Sequence, residues 1–148
     1  LEIEDQLKGN IIILGGGTVG AEIALEQSLI HKNNVSIIEL GDELATQGNM
    51  LYKIGLRQTM EKCESLTTYL NTQCTEVKDN SVIIKNEAGI IKEIPADKVI
   101  VCTGMKSLNI LAESFYGITP NVTMIGDCVK PRKIMEAVFE GHSIALNL

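Results

Sequence analysis

Short apolar runs broken by glycine and asparagine organise the first half of the chain. Asn10–Leu14 is apolar after its first residue, the pattern of a strand buried on both faces. It leads directly into Gly15, Gly16 and Gly17. Thr18–Ile30 follows, with Val19, Ile23, Ala24, Gln27 and Ile30 loosely on one face, which predicts a helix. His31–Asn34 is a turn with Asn33-Asn34 as its breaker, and Val35–Glu39 is a second strand. Gly41–Asn49 reads as loop, Met50–Cys63 as a proline-free helix and Leu66–Leu70 as a short strand.

The texture then changes. Cys74–Lys78, Ser81–Lys85 and Ile90–Ile94 are short runs separated by Asp79-Asn80 and by Asn86–Gly89, which predicts an antiparallel meander. Lys98–Cys102 is a β-branched strand ending at Thr103-Gly104. The order is βαβαβ, a three-strand insertion and a returning strand. A right-handed crossover keeps the main strands parallel, so the expected fold is α/β: a Rossmann-like parallel sheet with a three-stranded antiparallel β-meander crossover. Further on, Val122–Ile125 reads as a strand stopped by Gly126-Asp127. Pro131 suits the first turn of a closing helix, Pro131–Asn147, because it lacks an N–H that has no partner there. Ile134, Val138, Gly141 and Ala145 share one face of it.

Within this frame Gly15, Gly17 and Gly20 form G-x-G-x-x-G at a strand-to-helix turn, and Glu39 ends the next strand. That is the dinucleotide-binding fingerprint. Gly15 permits the tight turn, Gly17 admits a pyrophosphate to the backbone, and Gly20 lets the helix pack on the strand. Thr18 and Val19 lie between the last two glycines, at the helix end whose free N–H groups and dipole attract phosphate. Glu39 reads as the acceptor of ribose hydroxyls, or else as an exposed acid at a strand end. Residues 40–49 hold no Arg or Lys, so NADH is expected over NADPH. A meander in place of a crossover helix suits the smaller nucleotide domain of flavoproteins that hold two dinucleotides.

Composition narrows the partners. Thirteen basic against nineteen acidic residues give a formal charge of −6, which argues against nucleic acid and anionic membranes as partners. No apolar run approaches the roughly 20 residues of a membrane span, and no signal-peptide pattern precedes the first strand. A cytoplasmic protein is expected. Cys63, Cys74, Cys102 and Cys128 make no C-x-x-C pair, so free thiols are expected and no metal site. His31 and His142 are isolated, and no catalytic residue is assigned.

Three positions carry two readings each. Glu22 is either a solvated helix charge or part of the site. Thr103-Gly104 is either an ordinary turn or a strand end against which a cofactor crosses. Asp127 is either a helix cap or an acceptor for ribose or ribityl hydroxyls.

Residues 11–24, IIILGGGTVGAEIA, resemble the NAD(H)-binding domain of the pyridine nucleotide–disulfide oxidoreductase superfamily. GDELATQGNMLYKIGLRQ (41–58) and MIGDCVKPRKIMEAVFEGHSIA (124–145) are similar to the C-terminal part of the 2-enoate reductase and 2,4-dienoyl-CoA reductase family of NADH:flavin oxidoreductases. The resemblance runs from about Gly9 to Leu148. It implies a modular enzyme: an old-yellow-enzyme barrel with FMN, an iron–sulfur cluster, and an FAD domain into which the NAD(P)H domain is inserted. NADH would give hydride to FAD, and electrons would pass through the cluster to FMN and an enoate or enoyl C=C bond.

By the same resemblance, Gly15, Gly17 and Gly20 match the NAD phosphate loop, Glu39 the ribose acid, and Glu22 a glutamate near the nicotinamide. Thr103-Gly104 matches the turn beside the cofactor, and Gly126-Asp127 the motif whose aspartate binds the FAD ribityl chain. The implied division is residues 1–119 as the NADH domain and 120–148 as a strand and helix of the FAD domain. No barrel, cluster cysteines or first FAD glycine motif are present in these residues. The chain is therefore expected to be a fragment that binds NADH without completing turnover, its partners being the FAD and barrel domains. Its apolar closing helix would be covered by the first domain, by a second copy in a homodimer, or be loosely ordered. The alternatives are an NADH oxidase or ferredoxin-type reductase, and a non-catalytic NAD-binding module.

Overall fold

The computed structural model describes residues 7–147. The expected polar lead-in, residues 1–9, falls mostly outside them. The chain divides into two compact units, Leu1–Gly104 and Met105–Leu148.

The first unit has three layers. Its centre is a parallel sheet in the order β3-β2-β1-β7, formed by β1 (Asn10–Leu14), β2 (Asn34–Ile38), β3 (Leu66–Tyr69) and β7 (Lys98–Val101). Alternation along β1 and β2 feeds two cores. Ile11, Ile13, Val35 and Ile37 face α1 (Thr18–Leu29) and α2 (Met50–Glu61), meeting Ala21, Ala24, Leu56 and Met60. Ile12 and Ile38 face the other way, onto Val82, Ile84, Ile94 and Ala96. Those residues belong to the antiparallel sheet β4-β5-β6 (Thr72–Val77, Ser81–Asn86, Ile91–Pro95) or directly follow it. The meander thus covers the face that a crossover helix would otherwise cover, as its sequence texture predicts.

The Asn33-Asn34 breaker is more than a turn signal. Asn33 is buried, and its side chain accepts from Gly9 N–H (3.0 Å) while donating to the Leu7 carbonyl (2.9 Å) and to Gln27 (3.0 Å). It locks the entry of β1 to the exit of α1. Lys32, at φ +58°, makes the reversal between α1 and β2.

In the second unit, α3 (Asn109–Glu113) is followed by a 3-10 turn at Gly126–Cys128 and by α4 (Ile134–Ala145). Two expectations are corrected. Val122–Ile125 forms no strand, because among the described residues no neighbouring strand takes up its backbone groups. Pro131 is not the first helical residue. Lys133 is the N-cap and Glu136 reaches back to its N–H, so α4 opens at Ile134. The apolar face is open, with Ile134 84% and Val138 65% exposed. Among the described residues, no helix is long and apolar enough to cross a membrane.

Candidate dinucleotide-binding site

The glycine turn closes on itself so tightly that each glycine has a distinct reason. Gly15 sits at φ +102°, and a Cβ there would lie 2.4 Å from the Cys102 carbonyl oxygen. A Cβ on Gly20 would lie 2.0 Å from the Gly15 carbonyl oxygen. Gly17, the N-cap of α1, has nothing within 4 Å of the corresponding point. Gly15 and Gly20 are therefore glycine for packing, while Gly17 leaves open space above the helix end. Gly16 is not one of the three motif glycines, yet a Cβ there would lie 2.2 Å from a Leu44 methyl and 3.1 Å from the Glu39 Cβ.

No side chain caps α1. Among the described residues, the N–H groups of Gly17, Thr18 and Val19 have no hydrogen-bond partner. Open donors at a helix start, beside the open face of Gly17, fit a diphosphate. Val19 is 61% exposed, and the Thr18 hydroxyl donates to the Gln47 carbonyl (2.9 Å).

Glu39 follows β2 and turns back over the glycine turn. Its two carboxylate oxygens accept from Gly16 N–H (2.5 Å) and from Gly41 N–H (2.8 Å). The carboxylate is thereby fixed at the mouth of the cradle, with lone pairs left for ribose hydroxyls. The loop after it is stitched down: Ala45 N–H donates to the Gly16 carbonyl (2.8 Å). Arg57 of α2 grips the same loop, donating to the carbonyls of Leu44 (2.7 Å) and Ala45 (3.4 Å) and pairing with Glu43. Lys53 donates to the Thr46 carbonyl (3.0 Å). Thus two cations reach a loop whose own sequence has none. Nothing in their helical spacing separates them from ordinary solvated charges, so sequence reading passes over them.

Glu22 is exposed and accepts a hydrogen bond from the Tyr52 hydroxyl of α2. That bond, with some burial and the nearby negative charge, raises the Tyr52 pKa above the ordinary phenol value. No motif in the sequence marks Tyr52 either. Thr103 and Gly104 follow β7, where Cys102 N–H donates to the Leu14 carbonyl (2.7 Å) and the Thr103 backbone packs beside Gly15. Gly104 is at φ +88°. Burial raises the Cys102 thiol pKa. The four cysteines are free, and no metal-binding cluster occurs among the described residues.

The first unit therefore brings together Gly15, Gly17, Thr18, Val19, Gly20, Glu39 and the Thr103-Gly104 turn, with Glu22 on the following helical turn. Asp127 belongs to the second unit. It lies in the 3-10 turn and accepts from Arg132 N–H (3.3 Å), so it steadies the approach to α4 without being its N-cap. Glu140 braces the turn from α4, accepting from Gly126 N–H (2.7 Å) and pairing with Arg132. The Gly126 N–H, followed by Arg132, holds the Glu140 carboxyl below its ordinary pKa. Asp127 keeps one oxygen without a partner among the described residues, which fits a polyol hydroxyl.

Comparison with known proteins finds reductases among the relatives of this chain. A "Metal reductase" of Desulforamulus reducens is 30% identical over 93% of this chain and 24% of its own length. A "Cinnamate reductase" of Clostridium sporogenes is 27% identical over 93% of this chain and 21% of its own. The solved structure of a 2-naphthoyl-CoA reductase superposes with a TM-score of 0.76 at 27% identity, covering 99% of this chain and 22% of that one. The chain thus spans about a quarter or less of the length of these three proteins. The family model described as pyridine nucleotide-disulphide oxidoreductase matches residues 2–141, and the chain belongs to that family.

Proposed function

We propose that this chain is the NADH-binding portion of a multidomain flavoprotein reductase. The observation that carries the reading is the uncapped α1 N-terminus above the open face of Gly17, with the fixed carboxylate of Glu39 beside it. The diphosphate would take the N–H groups of Gly17, Thr18 and Val19, and Glu39 the ribose hydroxyls. The charge of Glu39 would repel a 2′-phosphate, favouring NADH over NADPH. Glu22 would lie near the nicotinamide, and Thr103-Gly104 beside the cofactor. Bound NADH supplies a hydride for an FAD whose ribityl chain Asp127 would hold. Residues 1–119 are assigned to the NADH domain and 120–148 to the FAD domain, so that the open α4 face docks on the rest of the flavoprotein.

For the final acceptor we propose an enoate or enoyl-type C=C bond. The relative named for cinnamate and the neighbour named for 2-naphthoyl-CoA support this. The relative named metal reductase favours a second reading, in which the same donor portion serves a metal acceptor. A nucleotide domain common to all three is suited to delivering reducing equivalents and leaves acceptor choice to other domains. The test is a calorimetric titration of the chain with NADH, NADPH and FAD in turn. Tight NADH binding with weak NADPH binding is expected. No binding of either nicotinamide nucleotide overturns the reading of the site.

A further inference from the structure

A guanidinium on the loop that follows Glu39 is unexpected in a site read as excluding a 2′-phosphate. Arg57 carries such a group to the loop that follows Glu39. The links are short: Arg57 to the Ala45 carbonyl (3.4 Å), Ala45 N–H to the Gly16 carbonyl (2.8 Å), and Gly16 N–H to Glu39 (2.5 Å). A Leu44 methyl lies 2.2 Å from where a Cβ on Gly16 would be, so this loop is seated on the glycine turn itself. Arg57 is nonetheless held at each of its three nitrogens. Its Nε is on the Leu44 carbonyl, one terminal nitrogen is on the Ala45 carbonyl, and the other is paired with Glu43. Lys53, the other cation reaching this loop, is held by the Thr46 carbonyl.

From this arrangement we infer that Glu43 is a second determinant of cofactor choice, acting by keeping Arg57 away from the ribose. The inference rests on Glu39 taking the adenosine ribose. Glu39 repels a 2′-phosphate directly, whereas Glu43 withholds the one forked cation that would otherwise receive it. Arginine matches phosphate with two parallel N–H donors, so an Arg released here would be a competent 2′-phosphate ligand. Glu43 touches neither nucleotide in this scheme and is a positioning residue for Arg57. Its side chain is 54% exposed against 27% for Arg57, so the pair is open to solvent and its effect is modest.

The test is NADH and NADPH affinity measured on the full chain in four forms. These are wild type, Glu39→Gln, Glu39→Gln with Glu43→Gln, and both of those with Arg57→Gln. Adding Glu43→Gln to Glu39→Gln is expected to shift the affinity ratio toward NADPH by about two- to fivefold. That gain should vanish in the triple variant and shrink in high salt. An unmoved ratio, or a gain that survives without Arg57, overturns the inference. A general loosening of the loop would weaken both nucleotides alike, leave the ratio unchanged and so also count against it. A wild-type chain that binds neither nucleotide defeats the underlying site reading; one that binds NADH with an unmoved ratio defeats only the role of Glu43.

Discussion

Gly17→Ala separates folding from binding. In the free protein a Cβ at this position meets nothing within 4 Å, and the backbone sits at φ −61°, ψ 179°, which alanine adopts without strain. Two small terms oppose each other. Alanine restricts the unfolded chain, a gain of about 0.4–1 kcal/mol. It is a poorer N-cap than glycine, a cost on the order of 0.5–1 kcal/mol. The net change in stability should stay within about 1 kcal/mol, a few degrees in Tm.

Binding should respond very differently. The methyl group would enter the space assigned to the diphosphate and hold it away from the donors of α1. Losing one or two charge-assisted hydrogen bonds, each roughly 1.5–3 kcal/mol, weakens NADH by at least about tenfold. Gly20→Ala is the contrast, since its Cβ would lie 2.0 Å from a backbone oxygen. Overpacking of that kind costs about 1–3 kcal/mol of fold stability. Thermal melts and NADH titrations on both variants decide the matter. Wild-type NADH affinity in a folded Gly17→Ala chain would refute the phosphate role of the turn. A drop of several kcal/mol in its stability would refute the open space above it.

Three further outcomes follow from the packing and the hydrogen bonds. Ile37 is completely buried between β2 and the two helices, so Ile37→Ala should cost about 2–5 kcal/mol in a denaturant titration, whereas Ile134→Ala at an 84% exposed site should change it by less than about 0.5 kcal/mol. The Glu140 carboxyl should titrate below the ordinary glutamate value of 4.5 when followed by NMR. Its folded pKa is lowered, so its stabilising contribution is present above the unfolded value, is lost as pH falls through the folded one, and disappears in Glu140→Gln. Glu22→Gln should bring the raised Tyr52 pKa down toward 10.0, read from phenolate absorbance at alkaline pH; no change would mean the Tyr52–Glu22 bond does not persist in solution.

The first unit was legible because its signals are periodic and local. Buried runs such as Ile11–Ile13, the glycine turn and the Asp79-Asn80 break each fix one element with little help from elsewhere. The errors fall where a segment depends on partners. Val122–Ile125 has a strand's composition but no neighbour to pair with among the described residues, and Pro131 yields to a capping arrangement set by Lys133 and Glu136. The same limit applies at the site. Gly15, Gly20 and Glu39 announce themselves by spacing. Arg57 and Tyr52 act from α2 across the helix–loop seam, and no sequence interval marks them.

The meander has a consequence for how the chain finds its fold. β1 pairs with β7 across most of the unit; the Asn10 N–H to Asp97 contact spans 87 residues. Closing so long a loop in one step is entropically slow. Only Ala96 and Asp97 separate β6 from β7, and the neighbouring contacts within β4-β5-β6 are short-range. The antiparallel ribbon can therefore assemble early and independently. Once its inner face settles on Ile12 and Ile38, the start of β7 is delivered beside β1. On this argument the insertion would serve as a folding splint, and mutations weakening β5 should slow completion of the parallel sheet more than their distance from it suggests.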